Sequence, residues 1–328
     1  MAGGGTEYRK FDAHAHVLGP KALAAEILDG AGVERVLNLS VSDLRSEPPG
    51  FDEFEEMLLE ESDDYPGRFL FGPAFPIRGF EAPGYVEETI AKLEEDFARR
   101  GAVAVKVWKA LGMTLKDAQG RYVFCDDARF KPIFDYLADR NAVVVLHMGD
   151  PKAGWEPLDP ESPHYRYFKE HPEFHLHGRT DVPSYEELMR RRDALVARYP
   201  YVRFVGAHLA SLEHDVEAVG EFLHRFPNAY VDTSARQWDL MRQPVEKVRR
   251  FFEKYAHRIL YGTDWGFHPR LLGSDEEERA KRVKAAVDGF VRGYRYFEET
   301  LGLSPEILEQ FYRGNAERLF GAGKGEGG

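Results

Sequence analysis

Two histidines stand two residues apart in the stretch DAHAH, His14 and His16. In an extended strand residues i and i+2 share a face. The two imidazoles would then project side by side, as two ligands of one divalent ion must. A second pair, His175 and His177, lies in a proline-rich stretch, where surface histidines beside a turn are the simpler reading. The first pair has candidate partners. His147 ends the run AVVVLH, His208 ends VRFVGAH and Asp264 ends RILYGTD, while Lys106 lies near the end of AVAVKVW. From His14 the histidines and Asp264 follow at steps of 133, 61 and 56 residues, which no local motif explains. Taken singly, each has a plain alternative: a core histidine bonded to a neighbour, or an aspartate, Asp12 included, capping a turn or helix. Taken together they all fall at the same end of their runs, and packing gives no reason for that. Three histidines and a carboxylate suit Zn first, with Mn or Fe as alternatives.

The elements that must position these residues alternate along the chain. β-Branched runs occupy 10–17, 33–40, 69–75, 102–108, 142–148, 202–208, 229–234 and 258–264, and amphipathic helical patterns follow each one. The helical stretches are expected near 20–30, 51–64, 84–99, 128–140, 184–199, 211–226, 244–255 and 276–300. Runs such as VVVL lack in/out alternation, as parallel strands covered on both faces do. Eight strand–helix units predict an α/β fold, a closed (β/α)8 TIM barrel, whose chemistry gathers where the strands end. An open doubly wound sheet would place a glycine-rich phosphate loop after the first strand; here that strand ends in histidines. The expected organisation is a lead over 1–9, one barrel over 10–321 and a tail over 322–328. The stretch 150–183 holds six prolines with Trp155, Tyr165, Tyr167, Phe168 and Phe174, and reads as a long, lid-like loop insertion after strand 5.

The bulk composition narrows the function. Net charge is −12, from 44 basic and 56 acidic side chains, and the short basic cluster RRR at 190–192 reads as the solvated face of a helix, so no nucleic-acid partner is expected. No apolar run approaches the ~20 residues that span a bilayer, and the first residues lack a secretory h-region. The single cysteine, Cys125, excludes an intrachain disulfide. A cytoplasmic enzyme acting on a small molecule is the expectation.

DAHAH, VVLH, FVGAHLAS, YGTDWGF and the closing FYRGNAERLFG resemble, in that order, the amidohydrolase superfamily. The resemblance is to its amidohydrolase-related branch, which includes aminocarboxymuconate semialdehyde decarboxylase, and it runs from Phe11 to about Gly321. It implies that His14, His16, His147 and Asp264 hold one divalent metal, with His208 beside the activated water as acid/base and Asp264 also catalytic. AVAVKVWKALG resembles the branch in which the lysine of the fourth strand, here Lys106, is unmodified, and relatives are often dimers, so a homodimer is possible here. A buried lysine also suits a substrate carboxylate. Around the strand ends, Trp108, Trp265 and His268 are candidate substrate contacts, as are Arg236, which could clamp a carboxylate, and Trp238. Asp232 is placed to orient a neighbouring histidine.

Three functions compete on this sequence. The favoured one is metal-dependent hydrolysis of a lactone, ester or amide. A non-oxidative decarboxylase of an unsaturated or aromatic acid would use the same constellation. A metal-free, non-catalytic barrel would show a lost ligand, and none is missing.

Overall fold

The computed structural model describes residues 8–41, 50–268 and 275–321. The expected tail and most of the lead lie outside them; of the lead, Tyr8 packs on Tyr312 with ring centroids 6.0 Å apart. Nine strands form among the described residues: β1 (Lys10–Val17), β2 (Val33–Leu39), β3 (Phe69–Gly72), β4 (Val105–Val107), β5 (Val143–Leu146), β6 (Arg203–Gly206), β7 (Ala229–Asp232), β8 (Ile259–Leu260) and β9 (Trp265–Phe267). All ladder pairings are parallel, in the orders β3-β2-β1-β9 and β4-β5-β6-β7-β8. Bridges Phe71–Ala102 and Ala74–Lys106 join the two sheets on one side. On the other, Ala13 N donates to Tyr261 O at 2.9 Å and Asp264 N to His14 O at 2.8 Å. The ring therefore closes into a barrel.

The eight expected strands and eight helices are all present, shifted by a few residues at their ends. β9 is an addition: of the run expected over 258–264 only Ile259–Leu260 pairs as a strand, and the chain pairs again, beside β1, at Trp265–Phe267. Helices such as Tyr185–Arg198 and Val216–Arg225 begin where Ser184 and Asp215 accept a backbone N–H, the usual stop for orphaned helix donors.

Side chains sort by parity. Leu37 and Leu39, Val143 and Val145, Val205 and Ala207, and Leu260 meet inside the ring, and Ala316, Leu319 and Phe320 close it from below. Their neighbours Val144, Leu146, Phe204 and Val231 face the helical shell. One composition-based expectation fails here. Arg192 is buried rather than solvated: its guanidinium donates to Ala210 O and pairs with Asp193. A single helix face cannot keep three consecutive arginines in water.

The segment 150–183 is more structured than a loop. It contains a turn at Lys152–Trp155, a helix at Tyr165–Glu170 and a turn at Pro172–Phe174. Lys109, after β4, reaches Asp150 at 2.5 Å and Tyr167 at 3.2 Å, and His164 reaches Asp239, after β7, at 2.8 Å. The segment thus spans from the β4 end of the ring to the β7 end.

Candidate metal centre

Lys106 and His147 reach the mouth of the ring by simple alternation, two residues beyond Ala104 and Val145. The others need help from the backbone. On β1, Phe11 and Ala13 face inward, which would turn His14 and His16 outward. The register against β2 slips between Asp12 and Ala15, and this one-residue bulge reverses the parity. Ala15 and Val17 then join the outer core, and the histidines face in. Asp12 fixes the bulge by accepting from His14 N at 3.0 Å, Thr263 N at 3.0 Å and Thr263 Oγ1 at 2.5 Å. Burial outweighs those bonds and pushes the Asp12 carboxyl up to about 7.

On β6 the inward set ends at Ala207, so His208 would point outward. Instead His208, Leu209, Ala210 and Ser211 all take φ between 56° and 58°, a left-handed turn that costs non-glycine residues energy. The turn folds back over Gly206, where a Cβ would lie 2.6 Å from that of Ala210. His208 N donates to Asp232 Oδ1 at 2.8 Å. Asp264 is also left-handed, φ 61°.

These devices gather the side chains. His14 Nδ1 lies 2.9 Å from Asp232 Oδ2, and His16 Nδ1 lies 2.6 Å from Leu39 O. Both partners accept, so both rings carry their proton on Nδ1 and present Nε2 lone pairs. Those two nitrogens sit 3.6 and 3.3 Å from Asp264 Oδ1, and the three ligand atoms lie within 4.8 Å of one another. Three acceptors converging on one spot call for a cation. His147 Nε2 is a further buried ring nitrogen with no hydrogen-bond partner; its ring packs on His208, centroids 4.2 Å apart. His14, His208 and Asp232 are also close, but Asp232 holds the Nδ1 side of His14 and is better suited to orienting that ring than to holding an ion.

Lys106 is buried, and its Nζ lies 2.9 Å from His14 Nε2. Burial lowers its amine to about 8, against the pull of Asp232 and Asp264. An ion and this ammonium would compete for one lone pair, and the lowered pKa makes the exchange cheap. Burial would raise Asp264, but the imidazoles packed around it, His16 foremost, hold its carboxyl well below the usual carboxylate range. Burial, then the Arg236 charge, holds His208 well below the usual histidine range; burial and His208 do the same to His147.

Ser234 was not singled out from sequence. Its Oγ lies 3.0 Å from His14 Nδ1 and 3.0 Å from His208 Nδ1, and it donates to Asp232 Oδ1. His208 Nδ1 also donates to Ser234 O at 2.9 Å. Asp232 and Ser234 thus tie His14 to His208; the sequence pointed to Asp232 but not to Ser234 two residues on.

The remaining candidates divide. Arg236 is buried near the mouth, its Nε without a hydrogen-bond partner. Trp265 is braced by Phe267 and Phe290, centroids 5.1 and 5.5 Å away. With Asp264 and Trp238 it lines a cavity of about 400 Å³. Trp108 packs against the outer core, and the space it shares with Lys106, about 10 Å³, is too small for a ligand. His268 is half-buried just beyond β9. His175 and His177 lie apart from the centre and bond to Glu156 O and Trp155 O at 3.0 and 3.1 Å.

A closed parallel barrel with histidines and a carboxylate at its mouth defines a class of metal-dependent enzymes, and the amidohydrolase family model matches residues 12–322. The chain belongs to the amidohydrolase family, within an enzyme superfamily that has both hydrolase and decarboxylase members. Similar solved structures include dihydroxybenzoic acid decarboxylase from Polaromonas sp. JS666 with bound manganese and 2-nitroresorcinol, at 16% identity and TM-score 0.59, covering 97% of this chain and 98% of that one. The 2,6-dihydroxybenzoate decarboxylase from Rhizobium is 17% identical, TM-score 0.55, over 95% and 98%. A probable 2-pyrone-4,6-dicarboxylic acid hydrolase from Acinetobacter baumannii with citric acid bound is 12% identical, TM-score 0.55, over 96% and 100%. No curated protein matches the chain. No helix among the described residues is long and apolar enough to cross a membrane.

Proposed function

We propose that the protein is a cytoplasmic, metal-dependent hydrolase that opens a lactone, ester or amide in a small, carboxylate-bearing substrate. His14, His16, His147 and Asp264 would hold one divalent ion, zinc in our reading. The bound ion supplies Lewis acidity, lowering the pKa of water and polarising a carbonyl. The observation that carries the reading is the state of His208. Its Nδ1 proton is committed to Ser234 O, and burial with Arg236 keeps the ring neutral, which leaves Nε2 to accept a proton. A neutral imidazole with its Nε2 free is a base for water. The base takes the water's proton and returns it to the leaving group. Arg236 and Lys106 are the cations available to a substrate carboxylate, and the cavity beside Trp265 accommodates its apolar part.

The decarboxylase reading draws support from those same two cations, which could grip the carboxylate that leaves. Metal analysis, then a panel of lactones, esters and amides beside aromatic and unsaturated acids, separates the two. Uptake of ¹⁸O from labelled water into the product supports hydrolysis. Release of CO2 without it overturns hydrolysis in favour of decarboxylation.

A further inference from the structure

Two side chains of one helix hold the left-handed turn after β6. His208, Leu209, Ala210 and Ser211 take positive φ in succession, a conformation that persists only where the surroundings over-determine it. Two of its carbonyls are answered locally: His208 O accepts from Ser211 N at 3.0 Å and Leu209 O from Leu212 N at 3.1 Å. The next two are answered from the helix Tyr185–Arg198. Arg192 Nη1 donates to Ala210 O, and Tyr185 Oη donates to Ser211 O. Both side chains are buried, at 2% and 6% exposure. Arg192 Nε and Nη2 reach half-buried Asp193 at 3.0 and 2.8 Å, and its guanidinium lies 4.4 Å from the Phe222 ring centroid. Burying a cation is costly, so a buried arginine committed to one backbone carbonyl marks a place where the backbone must not move.

We propose that Tyr185 and Arg192 are positioning residues for His208. They act at the far end of the turn, three and two residues beyond that ring. Without their donors two buried carbonyls lose their partners, and the turn relaxes toward ordinary φ. Strand alternation then sends His208 out of the ring and breaks the 2.9 Å bond from its Nδ1 to Ser234 O. The 150–183 segment docks on the same brace. Trp155 Nε1 donates to Pro183 O at 3.0 Å, the Trp155 ring packs on Tyr185 with centroids 5.6 Å apart, and Lys152 N donates to Glu213 just past the turn. The catalytic consequence rests on His208 acting as the base; the placing of its ring does not.

The test is histidine-selective ¹⁵N labelling of the full chain. A hydrogen-bonded His208 Nδ1–H gives a downfield, slowly exchanging proton signal, assigned by its loss in His208→Gln. Tyr185→Phe, which removes one hydroxyl, and Arg192→Met, which keeps the apolar stem, should each erase that signal or speed its exchange about tenfold or more. Tyr199→Phe is the control: the same helix ends at this buried tyrosine, whose hydroxyl bonds Asp135 at 2.9 Å, and its loss should leave the signal unchanged. Circular dichroism checks that each variant is folded. In a turnover assay kcat should fall about 10- to 100-fold in the first two variants, with KM within about twofold. No protected signal in wild type, an unchanged signal in folded Tyr185→Phe and Arg192→Met, or equal loss in Tyr199→Phe would overturn the proposal. A signal lost as expected in a protein that hydrolyses nothing sinks the hydrolase reading and leaves the positioning role standing.

Discussion

Two buried lysines sit at opposite ends of the barrel. Lys10, at the floor, lies over the rings of Tyr294 and Tyr312, 3.9 and 4.6 Å from their centroids, and donates to Tyr8 O at 2.8 Å. Lys106, at the mouth, faces His14 Nε2. Burial lowers both to about 8. What differs is the surroundings. The floor answers its ammonium with π faces, a carbonyl and Glu298 at 4.0 Å, all supplied by the fold. The mouth instead assembles acceptors in excess, on a backbone bent at three places to aim them. An end that satisfies itself is structural, and an end left wanting a cation is where a ligand belongs.

The largest effect should come from removing an acceptor at the mouth. Asp264→Ala is expected to lose the metal and, with it, activity by on the order of a thousandfold or more, with far-ultraviolet dichroism unchanged. Metal content by plasma emission checks the first half; full metal occupancy in this variant would break the contrast. His208→Ala should keep its metal while kcat falls about 10²- to 10⁴-fold, separating ligand from base. Ser234→Ala should weaken metal affinity by about 10- to 100-fold, with Ser234→Thr recovering most of it in competitive chelator titrations.

A smaller effect tests the two lysines through pH, in metal-free protein. Between a folded pKa of about 8 and the ordinary lysine value of 10.5, the unfolded chain binds more protons, so stability should rise with pH across that window. The gain from Lys106 is at most about 3 kcal/mol. Urea unfolding of wild type against Lys106→Met should show the gain in the first and a flatter profile in the second. Least of all, Lys10→Met should change kcat/KM by no more than about twofold while altering stability. A large loss of turnover in that folded variant would show that the floor is not merely structural.

Much of this was legible early because it follows from periodicity. Buried parallel strands must be continuous apolar runs, and a polar residue closing such a run stands out, as His147 and Asp264 do. Arg192 and Ser234 were not legible. Neither residue type declares burial, and each is defined by partners on other strands or turns.

Residue types and their order settled the ring of eight units and the end of the barrel where the histidines and Asp264 gather, since alternation and burial are local properties of the chain. Which way His14, His16 and His208 point was decided only in three dimensions. Strict alternation turns all three out of the barrel. A bulge held by Asp12 and a left-handed turn seated on Gly206 turn them in, and both are stabilised by hydrogen bonds to residues far away in sequence.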